Sequence, residues 1–122
     1  MIDGTLIAES LRAGTNLEDL SLTVRKISKY RAAGTTPEQP EVWTVFEFEA
    51  DEAAGDDLAQ AFAGALDDDP VWYVNFQSPS LAYVVYPGKI FRYPRGDQAG
   101  RERAQAYGRQ KAIPEPQLDW TA

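Results

Sequence analysis

The chain contains no histidine and no cysteine, so its chemically capable side chains are carboxylates, tyrosines, arginines and lysines. Thiolate nucleophiles, Ser-His-Asp triads, histidine- or cysteine-ligated metals and the imidazole proton shuttle are therefore excluded. Glu47 is the candidate general base, because it shares a predicted strand face with Trp43 and would be partly shielded from water there. Tyr73, Tyr83 or Tyr86 would orient a substrate, and Arg92 would hold its anionic group. These residues define one hypothesis, a cofactor-free isomerase or cyclase.

Aromatic residues on the predicted strands form the most prominent candidate site. Alternation along the strands places rings on both faces of a sheet, and one face must pack against the helices. The other face would present rings to a peptide, a planar small molecule or a second copy of the chain, unless the C-terminal segment with Trp120 covers it. The candidate binding rings are those of Trp43, Trp72, Tyr73, Tyr83 and Tyr86.

Basic residues cluster toward the C-terminus. Residues 89–111 hold seven of the twelve lysines and arginines and two acids, a balance of +5 that leaves −7 − 5 = −12 elsewhere. Arg92 and Arg95 precede a predicted helix and are candidate anion ligands, although pairing with the protein's own acids is the commoner arrangement. The Arg-Gly-Asp tripeptide at 95–97 is interpreted as a strand-to-helix corner, in which Gly96 permits the turn and Asp97 caps the helix.

Hydrophobic periodicity predicts the elements that position these groups. Period-two alternation indicates strands at residues 5–11, 20–30, 41–50, 71–76, 81–86 and 89–93. An apolar stripe beginning after Asp56 and Asp57 indicates a first helix, and Asp97 begins a second that ends near Gln110. Residues 17–31 also have nearly helical spacing, but their β-branched content favours a strand. The prediction is an α+β fold, a curved antiparallel sheet of about six strands in the order β-β-β-α-β-β-β-α, with both helices on one face.

Length and charge bound the partners. The 122 residues and 43% hydrophobic content predict one domain over 1–122, with residues 111–122 as an extended tail docked on it. A net charge of −7 disfavours nucleic acid and anionic membranes. No stretch approaches a membrane span, and the N-terminus does not resemble a signal peptide, so a cytoplasmic location is expected. The acidic run at 67–69 lacks the spacing of a calcium loop, so no metal is expected.

These observations favour a non-catalytic interaction module that uses its aromatic sheet face. Its expected partner is another protein or a second copy, with a small aromatic or anionic ligand as a further option and no cofactor. The isomerase or cyclase built on Glu47 and Tyr83 remains the alternative, and the missing histidines and cysteines weigh against it.

Overall fold

The computed structural model describes residues 1–122 and contains six strands and two helices in the predicted order. The strands are β1 (Ile2–Ile7), β2 (Thr23–Arg31), β3 (Val42–Ala50), β4 (Val74–Gln77), β5 (Leu81–Tyr86) and β6 (Lys89–Pro94). The helices are α1 (Gly55–Ala65) and α2 (Gln98–Gln110). All neighbouring strands are antiparallel, in the order β2-β3-β1-β4-β5-β6. The predicted α+β class and six-stranded antiparallel sheet are confirmed.

Several element bounds differ from the prediction for local reasons. Strand β1 ends at Ile7, because a short 3-10 turn follows and the Ser10 hydroxyl donates a hydrogen bond to the Ile7 carbonyl at 2.6 Å. Of the ambiguous segment 17–31, residues 17–22 form an irregular loop in which Asp19 has φ of +58°, and Thr23–Arg31 forms strand β2, which pairs with β3. Asp56 and Asp57 lie in the first turn of α1, where their negative charges interact favourably with the helix dipole, but neither side chain caps the helix.

The two helices cover opposite faces of the sheet instead of sharing one. All five residues from Ala82 to Tyr86 in β5 are buried, so both faces of this strand need an apolar cover. On the α1 face, α1 packs against a core that includes Phe48, Phe76 and Tyr83. On the α2 face, α2 and the C-terminal tail pack against the alternate residues of β5 and β6, which include Val84 and Tyr86. The helices lie on opposite faces because the apolar side chains of β5 on both faces must be covered.

Helix α2 approaches the sheet closely through small residues. Gly100, Ala104 and Gly108 recur every fourth residue and are buried along one side of the helix. A Cβ atom added at Gly108 would lie 2.7 Å from Leu118 Cδ2 and 2.7 Å from Tyr86 Oη. The helix therefore needs glycine at this contact.

The C-terminal tail, residues 111–122, completes the core of the α2 face. Ile113, Leu118 and Trp120 are buried in it. The Trp120 Nε1–H donates to Tyr93 Oη at 2.9 Å, and the Tyr93 hydroxyl donates to the Ala122 carbonyl at 2.9 Å. The tail is thus an integral layer of the fold, and its tryptophan is not presented to a partner.

Candidate binding surfaces

Most of the rings proposed for binding are buried by the fold itself. Trp72, Tyr83 and Tyr86 are only 5%, 3% and 0% exposed. The Tyr86 hydroxyl donates to the Ala104 carbonyl at 2.7 Å, and burial is the main cause that raises the pKa of Tyr86. Tyr73 is partly buried, and its hydroxyl donates to the Gln117 carbonyl of the tail. Trp72 and Tyr83 are thus buried in the core of the α1 face, Tyr86 and Tyr73 are covered by α2 and the tail, and neither face offers a broad aromatic binding surface.

Arg92 and Tyr83 come together, but in a contact internal to the chain. The Tyr83 hydroxyl donates to Asp56 Oδ1 at 3.1 Å, and Arg92 Nη1 lies 3.8 Å from Asp56 Oδ2. Burial, followed by the hydrogen bond to Asp56, raises the pKa of Tyr83. Gly55 makes this approach possible, because a Cβ there would lie 2.6 Å from Tyr83 Oη. Arg92 thus pairs with the protein's own acid, as the commoner alternative expected.

Arg95 belongs to the strand-to-helix corner. Its guanidinium donates to the Ser78 carbonyl at 3.3 Å. Gly96 has φ of +86°, a backbone conformation that favours glycine, and Asp97 Oδ1 accepts a hydrogen bond from the Gly100 amide at 3.2 Å. Each residue of the tripeptide therefore has a structural role at this corner.

The two residues of the isomerase hypothesis lie on opposite faces of the sheet. Glu47 lies opposite Thr5 of β1, Thr5 lies opposite Asn75 of β4, and Asn75 lies opposite Val84 of β5. Val84 belongs to the core of the α2 face, so Glu47 is on that face of the sheet. Tyr83 belongs to the α1 face, in the row that contains Gly4. The Glu47 side chain is 49% exposed, and its carboxylate lies 3.7 Å from Lys26 Nζ. The sheet separates Glu47 from Tyr83, so these two residues cannot act on one substrate. Tyr73 and Tyr86 lie on the Glu47 face, but their hydroxyls donate to the Gln117 and Ala104 carbonyls.

One edge of the sheet remains uncovered along strand β2, which pairs only with β3. Val24, Ile27 and Tyr30 are 44%, 64% and 50% exposed and are, with Met1, the exposed large hydrophobic residues of the chain. The sequence reasoning missed this surface. Its signal was a strand with four basic residues and no acid, TVRKISKYR.

An apolar groove lies beside β2 on the α1 face. It has a volume of about 380 Å³ and nine hydrophobic residues among the eleven that line it. Leu17, Leu20 and Leu22 from the segment before β2 form one wall, and Val24 of β2 and Phe46 of β3 lie at its sheet side. Since Val24 belongs to both features, the groove and the β2 edge form one continuous surface.

A second groove lies on the α2 face, between the tail and the uncovered part of the sheet; we call it the Trp43 groove. It has a volume of about 270 Å³. Its lining includes the side chains of Trp43, Trp72, Tyr73, Asn75, Gln117 and Asp119. Reciprocal amide hydrogen bonds of 3.1 and 2.8 Å between Gln39 and Gln117 join the loop before β3 to the tail at this groove. Three of the five aromatic residues predicted to bind a partner, Trp43, Trp72 and Tyr73, lie together at this groove.

No group of three or more acidic side chains is arranged to hold a metal ion. No helix has both the length and the apolar character needed to cross a membrane. No protein-family model matches the chain, and neither a curated protein nor a solved structure is significantly similar to it. The function is therefore inferred from the chain's own geometry and charge.

Proposed function

We propose that this chain is a non-catalytic protein-binding module that accepts an extended, acidic segment of another protein along strand β2. The observation that carries the proposal is the exposed nine-residue edge strand. An edge strand has unpaired backbone N–H and C=O groups on its outer side, and a peptide strand can add to them. Such main-chain pairing supplies affinity, and side-chain contacts supply specificity.

The charges of β2 favour an acidic partner. Arg25, Lys26, Lys29 and Arg31 give the strand +4, so the rest of the chain carries −7 − 4 = −11. Three of these cations pair with acids of the chain at 3.0–3.7 Å, and their side chains are 61–72% exposed. Exposed ion pairs are weak and can be shared with an incoming carboxylate. Lys29 takes part in none of the chain's ion pairs and is directly available.

The same charges disfavour a second copy of this chain as the partner. Pairing of two β2 strands would bring two groups of four cations together. The other edge strand, β6, has the sequence KIFRYP, which carries Lys89 and Arg92 and no acid. Neither edge of a second copy therefore offers complementary charge, whereas a partner strand rich in glutamate or aspartate does.

The apolar groove beside β2 adds a preference for hydrophobic side chains in the partner. Alternate residues of an added strand would point toward the α1 face, where Ile27 and Val24 are exposed. Burial of apolar surface contributes about 25 cal/mol per Å², so an aliphatic residue near Val24 would gain more than a polar one. Lys29 and Arg31 continue this row opposite Thr44 and Val42, so the expected partner segment carries aliphatic residues opposite Val24 and Ile27 and acids opposite Lys29 and Arg31.

The test uses two nine-residue probe peptides with valine at the two positions that face Val24 and Ile27; the remaining positions are glutamate in one peptide and lysine in the other. We expect the glutamate peptide to bind, to protect backbone amides of β2 from hydrogen exchange, and to bind less tightly as salt increases. We expect Lys29→Glu to weaken binding of the glutamate peptide by about fivefold or more, since it replaces an attraction by a repulsion. Calorimetry and amide exchange followed by NMR measure these effects.

Arg103→Glu is the matched control. Arg103 is an exposed residue of α2, it takes part in none of the chain's ion pairs, and its reversal changes the net charge by the same amount. It should leave the affinity within about twofold of the native value, because α2 packs against β5 and β6, at the opposite end of the sheet from β2, and exposed charges are screened beyond about 8 Å. Equal weakening by both variants, protection of amides elsewhere, or equal binding of the lysine peptide would refute the proposal. A dimer formed through β2 at working concentrations would refute it in favour of self-association.

A further inference from the structure

We propose that the Trp43 groove is a binding site for a small organic cation, with an alkylammonium group seated against its aromatic rings. No residue of β2 lines this groove, although Trp43 lies opposite Tyr30, and the proposal does not depend on the proposed function. Its lining combines the partly exposed rings of Trp43 and Tyr73, with the largely buried Trp72 packed against Trp43, and one carboxylate, that of Asp119; it contains no lysine or arginine. Aromatic faces and a carboxylate both attract a cation, and the rings also contact its alkyl groups.

The rings of the groove are held in position by contacts within the chain. The Trp43 Nε1–H donates to the Pro40 carbonyl at 2.8 Å, and the Trp43 and Trp72 rings meet edge to face with centroids 5.3 Å apart. The Tyr73 hydroxyl donates to the Gln117 carbonyl. A ligand would therefore meet an aromatic surface that is already ordered, which lowers the entropy lost on binding.

Asp119 supplies a negative charge that no cation of the chain neutralises. It is exposed and takes part in none of the chain's ion pairs. Its field acts at the ring beside it, because the charge of Asp119 is, after burial, the next cause that raises the pKa of Tyr73. The groove thus has a negative potential next to its aromatic surface.

The surface next to the groove adds to this potential. A polar depression on the same face shares Thr5 and Asn75 with the groove. Its charged lining residues are Asp3, Glu47, Glu49 and Arg25. Glu47 pairs with Lys26 and Glu49 with Arg25, which leaves Asp3 as the unpaired acid. The predicted anionic ligand does not fit here, since Arg92 and Arg95 are engaged elsewhere in the chain. A cation is the complementary ligand.

The size of the groove limits what it can hold. Its volume of about 270 Å³ lies just below the range of roughly 300–1,000 Å³ typical of sites for drug-sized ligands. This space suits a single alkylammonium head with a short substituent. For so few atoms, an affinity on the order of millimolar is expected.

The test compares choline with 3,3-dimethylbutan-1-ol, a neutral molecule of nearly the same shape, at constant ionic strength. We expect choline to shift the Trp43 indole N–H signal and the backbone amides of Tyr73 and Asp119 in NMR spectra, with saturation, and the alcohol to bind several-fold more weakly. Asp119→Asn should weaken choline binding by about fivefold, the factor expected for one exposed charge near contact distance. Trp43→Leu should remove the preference for choline over the alcohol.

Asp57→Asn is the matched control, because Asp57 is an exposed acid of α1 on the opposite face and takes part in none of the chain's ion pairs. It should bind choline as the native chain does. Equal affinity for choline and the alcohol, shifts that lie outside the groove, or the same affinity in the Asp119→Asn and Asp57→Asn variants would overturn the proposal. Asp119→Asn alters only an exposed side chain, so its affinity for choline can still be measured even if Trp43→Leu fails to fold.

Discussion

Replacing Gly108 by alanine tests the close contact between α2, strand β5 and the tail. Alanine normally stabilises a helix interior relative to glycine by about 0.5–1 kcal/mol. At Gly108, however, the added Cβ would lie 2.7 Å from Leu118 Cδ2, whereas attractive carbon contacts are found at roughly 3.5–4.0 Å. The substitution therefore requires Leu118 or the helix to move by about 1 Å. We expect the packing cost to exceed the helical gain.

Gly64 in α1 provides the matched substitution, because a Cβ added there meets no atom within 4 Å. Gly64→Ala should raise the free energy of unfolding by about 0.5–1 kcal/mol. Overpacking of a well-packed contact costs roughly 1–3 kcal/mol. The helical gain is common to both variants, so Gly108→Ala should be less stable than Gly64→Ala by about this packing cost, roughly 1–3 kcal/mol.

Urea denaturation followed by tryptophan fluorescence measures this difference. Trp120 lies in the tail next to the contact, so its emission also reports any displacement of the tail in the native state. A Gly108→Ala variant as stable as Gly64→Ala would refute the argument that glycine is needed for the approach of α2.

Three further outcomes follow from the buried contacts. Trp120→Ala should lower the free energy of unfolding by about 3–5 kcal/mol, measured by urea denaturation, because it empties the tail's anchor in the core of the α2 face. Gly4→Ala should lower the melting temperature in calorimetry, since its Cβ would lie 2.4 Å from Phe48 Cζ and 2.6 Å from Phe76 Cβ. Above pH 10 the chain should lose stability, because burial raises the pKa of Tyr86, so the unfolded chain releases this proton at a pH where the folded chain retains it. The stabilisation from protonated Tyr86 is fully present below the ordinary pKa near 10 and is lost at up to about 1.4 kcal/mol per pH unit above it. Tyr86→Phe should therefore reduce the loss of unfolding free energy between pH 9 and pH 11, measured by denaturation.

The features that were predicted accurately are those governed by neighbours in the chain. Strand β5 spans Leu81–Tyr86 as its alternation indicates, and Gly96 at the predicted strand-to-helix corner has φ of +86°. Asp97 caps α2 because its carboxylate needs only to reach an amide three residues ahead. Local hydrogen bonding and backbone preferences decide such features, and both can be read from a short stretch of residues.

Whether the candidate side chains are exposed, and which of them lie together, could not be predicted from short stretches of residues. Alternation places Trp72 and Tyr73 on opposite sides, but whether either is covered depends on which helix packs there. The separation of Glu47 from Tyr83 follows from the strand partners, since the row of each residue is set by β1 lying between β3 and β4. The residues of β1, β3 and β4 carry no local signal that β1 lies between the other two strands.

The amino-acid sequence by itself determined the chemistry that is absent, the α+β class and the order of the elements, because residue types and hydrophobic periodicity act over a few neighbouring positions. Only the tertiary structure decided that β2 is an edge, that α1 and α2 cover opposite faces, and that Trp43 and Asp119 line one groove. These outcomes depend on contacts between residues distant in the chain, where burial of both faces of β5 outweighs any local preference.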